Sequence, residues 1–270
     1  MILIIDLSYF VFHRFYATKA YLKISKQTDS IPCSFDDDKF REIFKSGFRK
    51  TMEKLAKKFV PSAIYLSKDC SRSDIWRNDV YENYKSRKHL SDFDGRSFDV
   101  TFNEILPTLK ADFTRFKIRR NFLNIPITMV SNDKCEADDI CYILCKHVFS
   151  TEDKTVISGD HDYMQLINDN TDVFDLKLKS LREKSIGSAA EDLILKILIG
   201  DKSDNIPPIC SKKQALDLIE KHTFDQIVEK YEGCDRFRLN RLLVDMDQIP
   251  NELIQEVVDR CQSLSICRTV

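Results

Sequence analysis

ILIID, residues 2–6, is a run of four aliphatic residues closed by a carboxylate. Its length and unbroken apolar character suit a strand covered on both faces, as in a parallel sheet. The pattern returns downstream. AIYLSKD at 63–69 ends on Asp69, and TVISGDHD at 155–162 ends on Asp160 and Asp162. PITMV at 126–130 and VFDL at 173–176 are further strand-like runs. Between them the apolar period becomes helical: Phe40, Ile43, Phe44, Phe48, Met52 and Leu55 form one stripe, and Ala137, Ile140, Cys141, Leu144 and Val148 another. A further helix is expected from about Phe102 to Leu123, stopped by Asn124 and Pro126. Strands alternating with helices predict an α/β fold, a doubly wound, mainly parallel sheet flanked by helices. Such a sheet gathers its strand ends along one edge, where open α/β folds place their sites.

At 270 residues the chain can bury a full core, as one large domain or a domain with a small helical appendage. No apolar run reaches membrane-spanning length, and MILIID lacks a charged region ahead of it, so an intracellular protein is expected. That means cytoplasm or nucleus, or a host cell if the source is viral. Nine cysteines are scattered without a CxxC pair and read as reduced, buried thiols. The net charge of −1 argues against a nucleic-acid partner taken as a whole. Its distribution does not, because Lys and Arg concentrate between Lys39 and Arg120.

The carboxylates are the second signal. Besides Asp6, Asp69, Asp160 and Asp162, the chain has Glu136, Asp138 and Asp139 in EADD and Asp201 and Asp204 in GDKSDN. A single Asp after a strand is ordinarily a helix cap. Three acids in four residues exceed what a helix dipole compensates, at about 0.3–1 kcal/mol each. Gathered at one edge they would repel strongly unless cations neutralised them. An all-oxygen acidic pocket suits Mg²⁺ or Mn²⁺, and two such ions can activate water and stabilise the leaving oxygen of a phosphodiester. No Cys or Ser nucleophile with a partner base is evident, so water is the expected attacker. From Cys70 to about Val100 no apolar face persists, an excursion long enough to suggest function. Ser188 and Glu191 have capping-box spacing before LILKILI, and everything after Asp201 reads as helical.

LIIDLSYFVFHRFYA, WRNDVYENYKSRK, EADD, SGDHDYMQL and GDKSDNIP occur in that order between residues 3 and 207. In these motifs the chain resembles the flap endonuclease family of structure-specific 5′ nucleases, which includes the 5′-nuclease domains of bacterial DNA polymerase I and small bacteriophage enzymes. The resemblance runs to about residue 230. It implies a PIN-like 5′-nuclease core at 1–200 with a helical arch at about 70–112, and a helical duplex-binding subdomain at 201–270. It implies that Asp6, Asp69, Glu136 and Asp138 hold the catalytic metal, and that Asp139, Asp160, Asp162, Asp201 and Asp204 serve a second metal or its waters. Arg14 and Arg77 are expected near the scissile phosphate. Tyr84 and Lys85 match the start of the family's YKxxR block, with Lys85 assisting at that phosphate. Arg87, Lys88, Lys212 and Lys213 are expected to bind nucleic acid. Two departures stand out. Lys88 occupies the position where the block has arginine, and a lysine is a point charge where a guanidinium would grip bidentately. IPPICSKKQA at 206–215 replaces the family's glycine-rich duplex-cradling hairpin.

The resemblance thus implies a divalent-metal-dependent flap endonuclease and 5′→3′ exonuclease, acting on DNA with a 5′ flap, overhang or nick in replication or repair. Mg²⁺, with Mn²⁺ as an alternative, would be the cofactor at two or more ions per site. A nuclease preferring RNA–DNA hybrids or cutting junctions is the nearest alternative, and a non-catalytic DNA-structure-binding protein or a small PIN-type ribonuclease lies further off. A monomer without membrane association is expected, with replication proteins as further partners.

Overall fold

The structure, a computed structural model, describes residues 1–25, 31–86 and 92–266. Its elements run β1 (Ile2–Asp6), α1 (Leu7–Ile24), α2 (Asp38–Phe59), β2 (Ala63–Lys68), α3 (Trp76–Val80), α4 (Arg96–Val100), α5 (Leu106–Phe113), β3 (Phe116–Ile118), β4 (Asn121–Leu123), β5 (Ile127–Ser131), α6 (Ala137–Ile143), β6 (Lys154–Ile157), β7 (Thr171–Phe174), α7 (Ala189–Ile199), α8 (Lys212–Lys221), α9 (Phe224–Tyr231), α10 (Asp235–Val244) and α11 (Asn251–Ile266). Five strands pair all-parallel in the order β5-β2-β1-β6-β7. The sheet is therefore wound outward in both directions from β1, and the order reverses between β1 and β6. At that switch point the crevice outside the strand ends is open.

The aliphatic runs are continuous because each strand serves two cores. Leu3, Ile5, Ile64, Leu66 and Ile157 face one cluster, and Ile4, Tyr65 and Val156 the other. Aromatic residues of α1 and α2 fill the first cluster, with Phe10 and Phe48 at 4.4 Å between ring centroids and both fully buried. Each such ring stabilises the layer by about 1.5–3 kcal/mol. On the opposite face α6 and α11 cover β5 and its neighbours. A third cluster joins α7, α8, α9 and α10 and takes in Ile75 and Tyr84. The packing thus divides elsewhere than at residue 201: α7 belongs with the small helical group, and α11 returns to the main sheet.

One expected helix ends early. α4 continues through a π-turn at Thr101–Ile105 into α5 and stops at Phe113, and residues 116–123 form the antiparallel hairpin β3–β4. Arg119 adopts φ +55° at its turn, which breaks any helix there. Of the excursion expected as an arch, Ile75, Tyr81 and Tyr84 pack against the helical group and Trp76 against the sheet-side core, while Phe93 and Phe98 pack on Phe12 of α1. Among the described residues no helix is long and apolar enough to cross a membrane.

Candidate active site

The carboxylates meet at the C-terminal edge of the sheet, where Asp6, Asp69 and Asp160 close or follow strands and the rest arrive from helix starts and a loop. Asp6 ends β1 and caps α1, its Oδ1 accepting the Tyr9 N–H at 2.9 Å. Its other oxygen accepts from Ser158 Oγ at 3.1 Å and Tyr163 OH at 2.9 Å. Capping and presentation to the crevice are one arrangement here. Asp69 follows β2, and its Oδ1 accepts the Ala137 N–H at 2.7 Å, which ties that strand end to the start of α6. Glu136 stands at the N-cap of α6, and Asp138 and Asp139 occupy its first turn. Asp160 follows β6 and accepts the Asp162 N–H at 3.0 Å, starting the 3₁₀ turn His161–Leu166.

Asp201 and Asp204 arrive from the helical side on a loop pinched shut by paired hydrogen bonds between Asp201 and Ile206. Gly200 makes the pinch possible. Its φ is +66°, and a Cβ there would lie 2.5 Å from the Ile206 carbonyl oxygen, so only glycine fits. Glu136, Asp138 and Asp139 bring oxygens within 4.8 Å of one another, and Asp162, Asp201 and Asp204 do the same.

The electrostatics show how much negative charge is gathered. Burial, reinforced by Asp69 and Asp138, pushes the Asp6 carboxyl up to about 7. Burial and Asp138 carry Glu136 to about 7 although Lys85 and Arg77 oppose them. Burial and Asp160 carry Asp162 to about 7 despite Lys196. The nine acids supply oxygen donors only, and burial with neighbouring like charge makes Asp6, Glu136 and Asp162 resist ionisation in the absence of further positive charge. That donor set fits hard divalent cations of the Mg²⁺ or Mn²⁺ type.

Among the described residues three cations stand among these acids, in different roles. Lys85 ion-pairs with Glu136 and lies 3.8 Å from Asp204, bridging the two groups. Its backbone is left-handed at φ +48°, held there by its N–H bond to the Asp204 carbonyl at 3.0 Å. Strain of this kind at a non-glycine residue persists only where the surroundings enforce it. Tyr84 is buried and donates to Glu136 at 2.9 Å, so it supports that carboxylate.

Arg77 is 2 % exposed and fully engaged with Asp139 at 2.8 Å, Glu136 at 3.3 Å and the Leu243 carbonyl at 2.9 Å. It positions the carboxylates from behind and presents no open face to a phosphate. Asp139, wholly buried between Arg77 and the Trp76 indole, is likewise turned inward. Lys196 of α7 was not anticipated. Its ammonium pairs with both Asp162 and Asp201, inside the second carboxylate group. The signal was a lone charge in the apolar run LILKILI.

The other expected basic residues are not brought here. Arg14 lies away from the carboxylates, against Gly47 of α2. Lys212 and Lys213 are exposed in the first turn of α8, and Arg87 and Lys88 lie outside the described residues. Beside the acids opens a cavity of about 580 Å³. Asp69, Glu136, Asp204 and Lys85 line it together with Phe12, Phe98 and Phe102. Charged and aromatic side chains therefore share one cavity beside the acids.

The comparisons agree with this arrangement. The family model for the 5′-3′ exonuclease N-terminal resolvase-like domain matches residues 1–191. Ribonuclease H of Enterobacteria phage T4 is 26 % identical over 238 residues, covering 79 % of this chain and 74 % of that protein. The 5′-3′ exonuclease of Bacillus subtilis is 24 % identical over 258 residues, 92 % and 76 % of the two chains. The chain also matches DNA polymerase I of Streptococcus pneumoniae, of whose length it spans 22 %. Its fold is that of the bacteriophage T5 flap endonuclease, solved as a pseudo-enzyme-product complex with DNA and metal ions, with a TM-score of 0.57 at 15 % identity over 97 % of this chain and 98 % of that one. With a parallel sheet that delivers its carboxylates to the switch-point crevice, and a family match over residues 1–191, the chain belongs to the 5′-3′ exonuclease family of metal-dependent nucleases.

Proposed function

We propose that the chain hydrolyses phosphodiesters at the junction of single strand and duplex, as a Mg²⁺-dependent flap endonuclease and 5′→3′ exonuclease. The observation that carries this reading is the placing of Lys85, a residue of the excursion, between two carboxylate groups at the switch point. On this reading Asp6, Asp69, Glu136 and Asp138 hold one divalent ion, and Asp160, Asp162, Asp201 and Asp204 serve a second. The bound ions supply an activated water and neutralise charge on the phosphoryl oxygens. Lys85 then adds a fixed positive charge where negative charge develops. Phe12, Phe98 and Phe102 seat the adjoining base, and Tyr163 and Ser158 hold the Asp6 carboxylate in register. Arg77 fixes Asp139 and Glu136 so that the first turn of α6 stays aimed at the crevice.

A second reading, cleavage of the RNA strand in an RNA–DNA hybrid, is favoured by the relative named ribonuclease H. Both share the metal site and differ in the strand that is cut.

The test is a duplex with a 5′ flap of DNA or of RNA, labelled at the flap end, incubated with Mg²⁺, Mn²⁺ or EDTA. Metal-dependent release of the flap, lost in Asp160→Ala, is expected. Absence of cleavage with either ion on either flap would overturn the nuclease reading.

A further inference from the structure

Arg14 lines a cavity of about 510 Å³ between α1 and α2, separate from the carboxylate centre. Lys39 and Lys50 of α2 line it too, with Tyr21 and Ser46. The one carboxylate among its described lining residues is Glu42, which Lys45 holds at 2.8 Å. Arg14 Nε is buried without a hydrogen-bond partner among the described residues. Burial lowers the guanidinium from its ordinary pKa, and no neighbouring acid offsets the effect. α2 makes room for it. Gly47 stands in mid-helix, where glycine is a weak helix former, and a Cβ there would collide with Arg14 Nη2.

A half-buried guanidinium, two lysines and no free acid describe a site for an anion. The planar fork of arginine suits a phosphodiester, and the lysines add point charges around it. The location narrows the choice. Arg14 lies eight residues beyond Asp6 on the same helix, about 12 Å along its axis. That is roughly three to four nucleotides of duplex at 3.4 Å each. We propose that this cavity is a second phosphate subsite, holding a phosphodiester of the bound nucleic acid several nucleotides from the bond that is cut. The identity of the ligand rests on the nuclease reading, whereas the anion site does not.

The test measures binding of a fluorescent 5′-flap duplex by anisotropy, with Ca²⁺ in place of Mg²⁺, for the wild type, Arg14→Gln and Gly47→Ala. The duplexes carry a single neutral methylphosphonate at successive linkages. Both variants are expected to bind about tenfold more weakly. One linkage, three to four from the cut, reproduces that loss in the wild type and adds nothing in Arg14→Gln. Gly47→Ala guards against a folding defect, because it displaces the guanidinium while favouring the helix. Wild-type affinity in both variants, or additive losses at every linkage, would overturn the subsite. If the wild type neither binds nor cuts DNA, the nuclease reading fails instead. The cavity is then judged by titrating inorganic phosphate against the Arg14 Nε–H resonance: a saturable shift supports an anion site, and a flat response removes it.

Discussion

Replacing Lys196 by methionine takes a positive charge out of the second carboxylate group while keeping length and helix propensity. The Lys196 side chain is 21 % exposed, and those of Asp162 and Asp201 are 16 % exposed, so the pairing is largely sheltered from water. Breaking a buried pair from one side costs about 3–5 kcal/mol. Partial exposure, and the readiness of Asp162 to take up a proton, reduce this to about 2–3 kcal/mol. In EDTA the variant should therefore melt about 5–10 °C below the wild type. A divalent ion that uses Asp162 and Asp201 competes with this ammonium for the same oxygens. By linkage, the stability lost without the ammonium returns as ion affinity. An increment of about 2–3 kcal/mol corresponds to roughly 30- to 150-fold tighter binding. Calorimetric titration with Mn²⁺ and thermal melts across the same concentrations read both numbers. Equal melting temperatures in EDTA would show that the ammonium does not stabilise this group. Unchanged Mn²⁺ affinity in a destabilised variant would show that the ion does not use these two acids.

Further outcomes follow from the same geometry. Arg77→Met leaves Asp139 buried without its cation and should cost about 3–5 kcal/mol in urea unfolding, and an unchanged midpoint would contradict the positioning role. Asp6, Glu136 and Asp162 carry folded values near 7 against ordinary values near 4, so between about pH 4 and 7 the metal-free folded state binds protons that the unfolded state releases. Its stability should fall as pH rises through that window and level off above 7; melts in EDTA that are flat or rise from pH 5 to 8 would refute the gathering of charge. Lys85→Met should slow flap cleavage by about 100-fold at saturating metal. A rate within threefold of wild type would show that the ammonium does not act on the reacting phosphate.

The strands were legible because each is buried on both faces, so ILIID and TVISGDHD read as unbroken apolar runs ending in acids. The gathering of Asp6, Asp69 and Asp160 was legible for the same reason, since a parallel sheet fixes where a strand's last residue goes. The hairpin at 116–123 was not. Its turn places Arg119 in the left-handed region with neither glycine nor asparagine at that residue to announce it, and RFKIRRNFL continues the preceding apolar spacing closely enough to pass for helix. Arg14 was expected near the scissile phosphate from the family resemblance alone. Eight residues of helix instead carry it two turns along α1 and onto the face toward α2. Lys196 was hidden by distance in sequence, because its pairing with Asp162 depends on how α7 packs on the turn at His161–Leu166.

The internal cations also show where the demand for further positive charge lies. Of the nine acids, Glu136, Asp139, Asp162, Asp201 and Asp204 each have an ion-pair partner in Arg77, Lys85 or Lys196. Asp6, Asp69, Asp138 and Asp160 have none among the described residues, and the hydrogen bonds described for them are to neutral groups. Asp69 and Asp138 also bear directly on Asp6. The unmet charge is thus concentrated at the ends of β1 and β2 and the start of α6, where backbone caps and the buried Tyr163 hold the oxygens in place. Asp6, Asp69 and Asp138 can take an ion there with no lysine leaving them, and only Glu136 of that group is shared with Lys85 and Arg77. At the second group an ion must share or displace Lys196, so the two groups should differ in affinity, the first being the tighter. Two equal Mn²⁺ sites in the wild type would contradict this ordering, and equal sites appearing only in Lys196→Met would identify the ammonium as its cause.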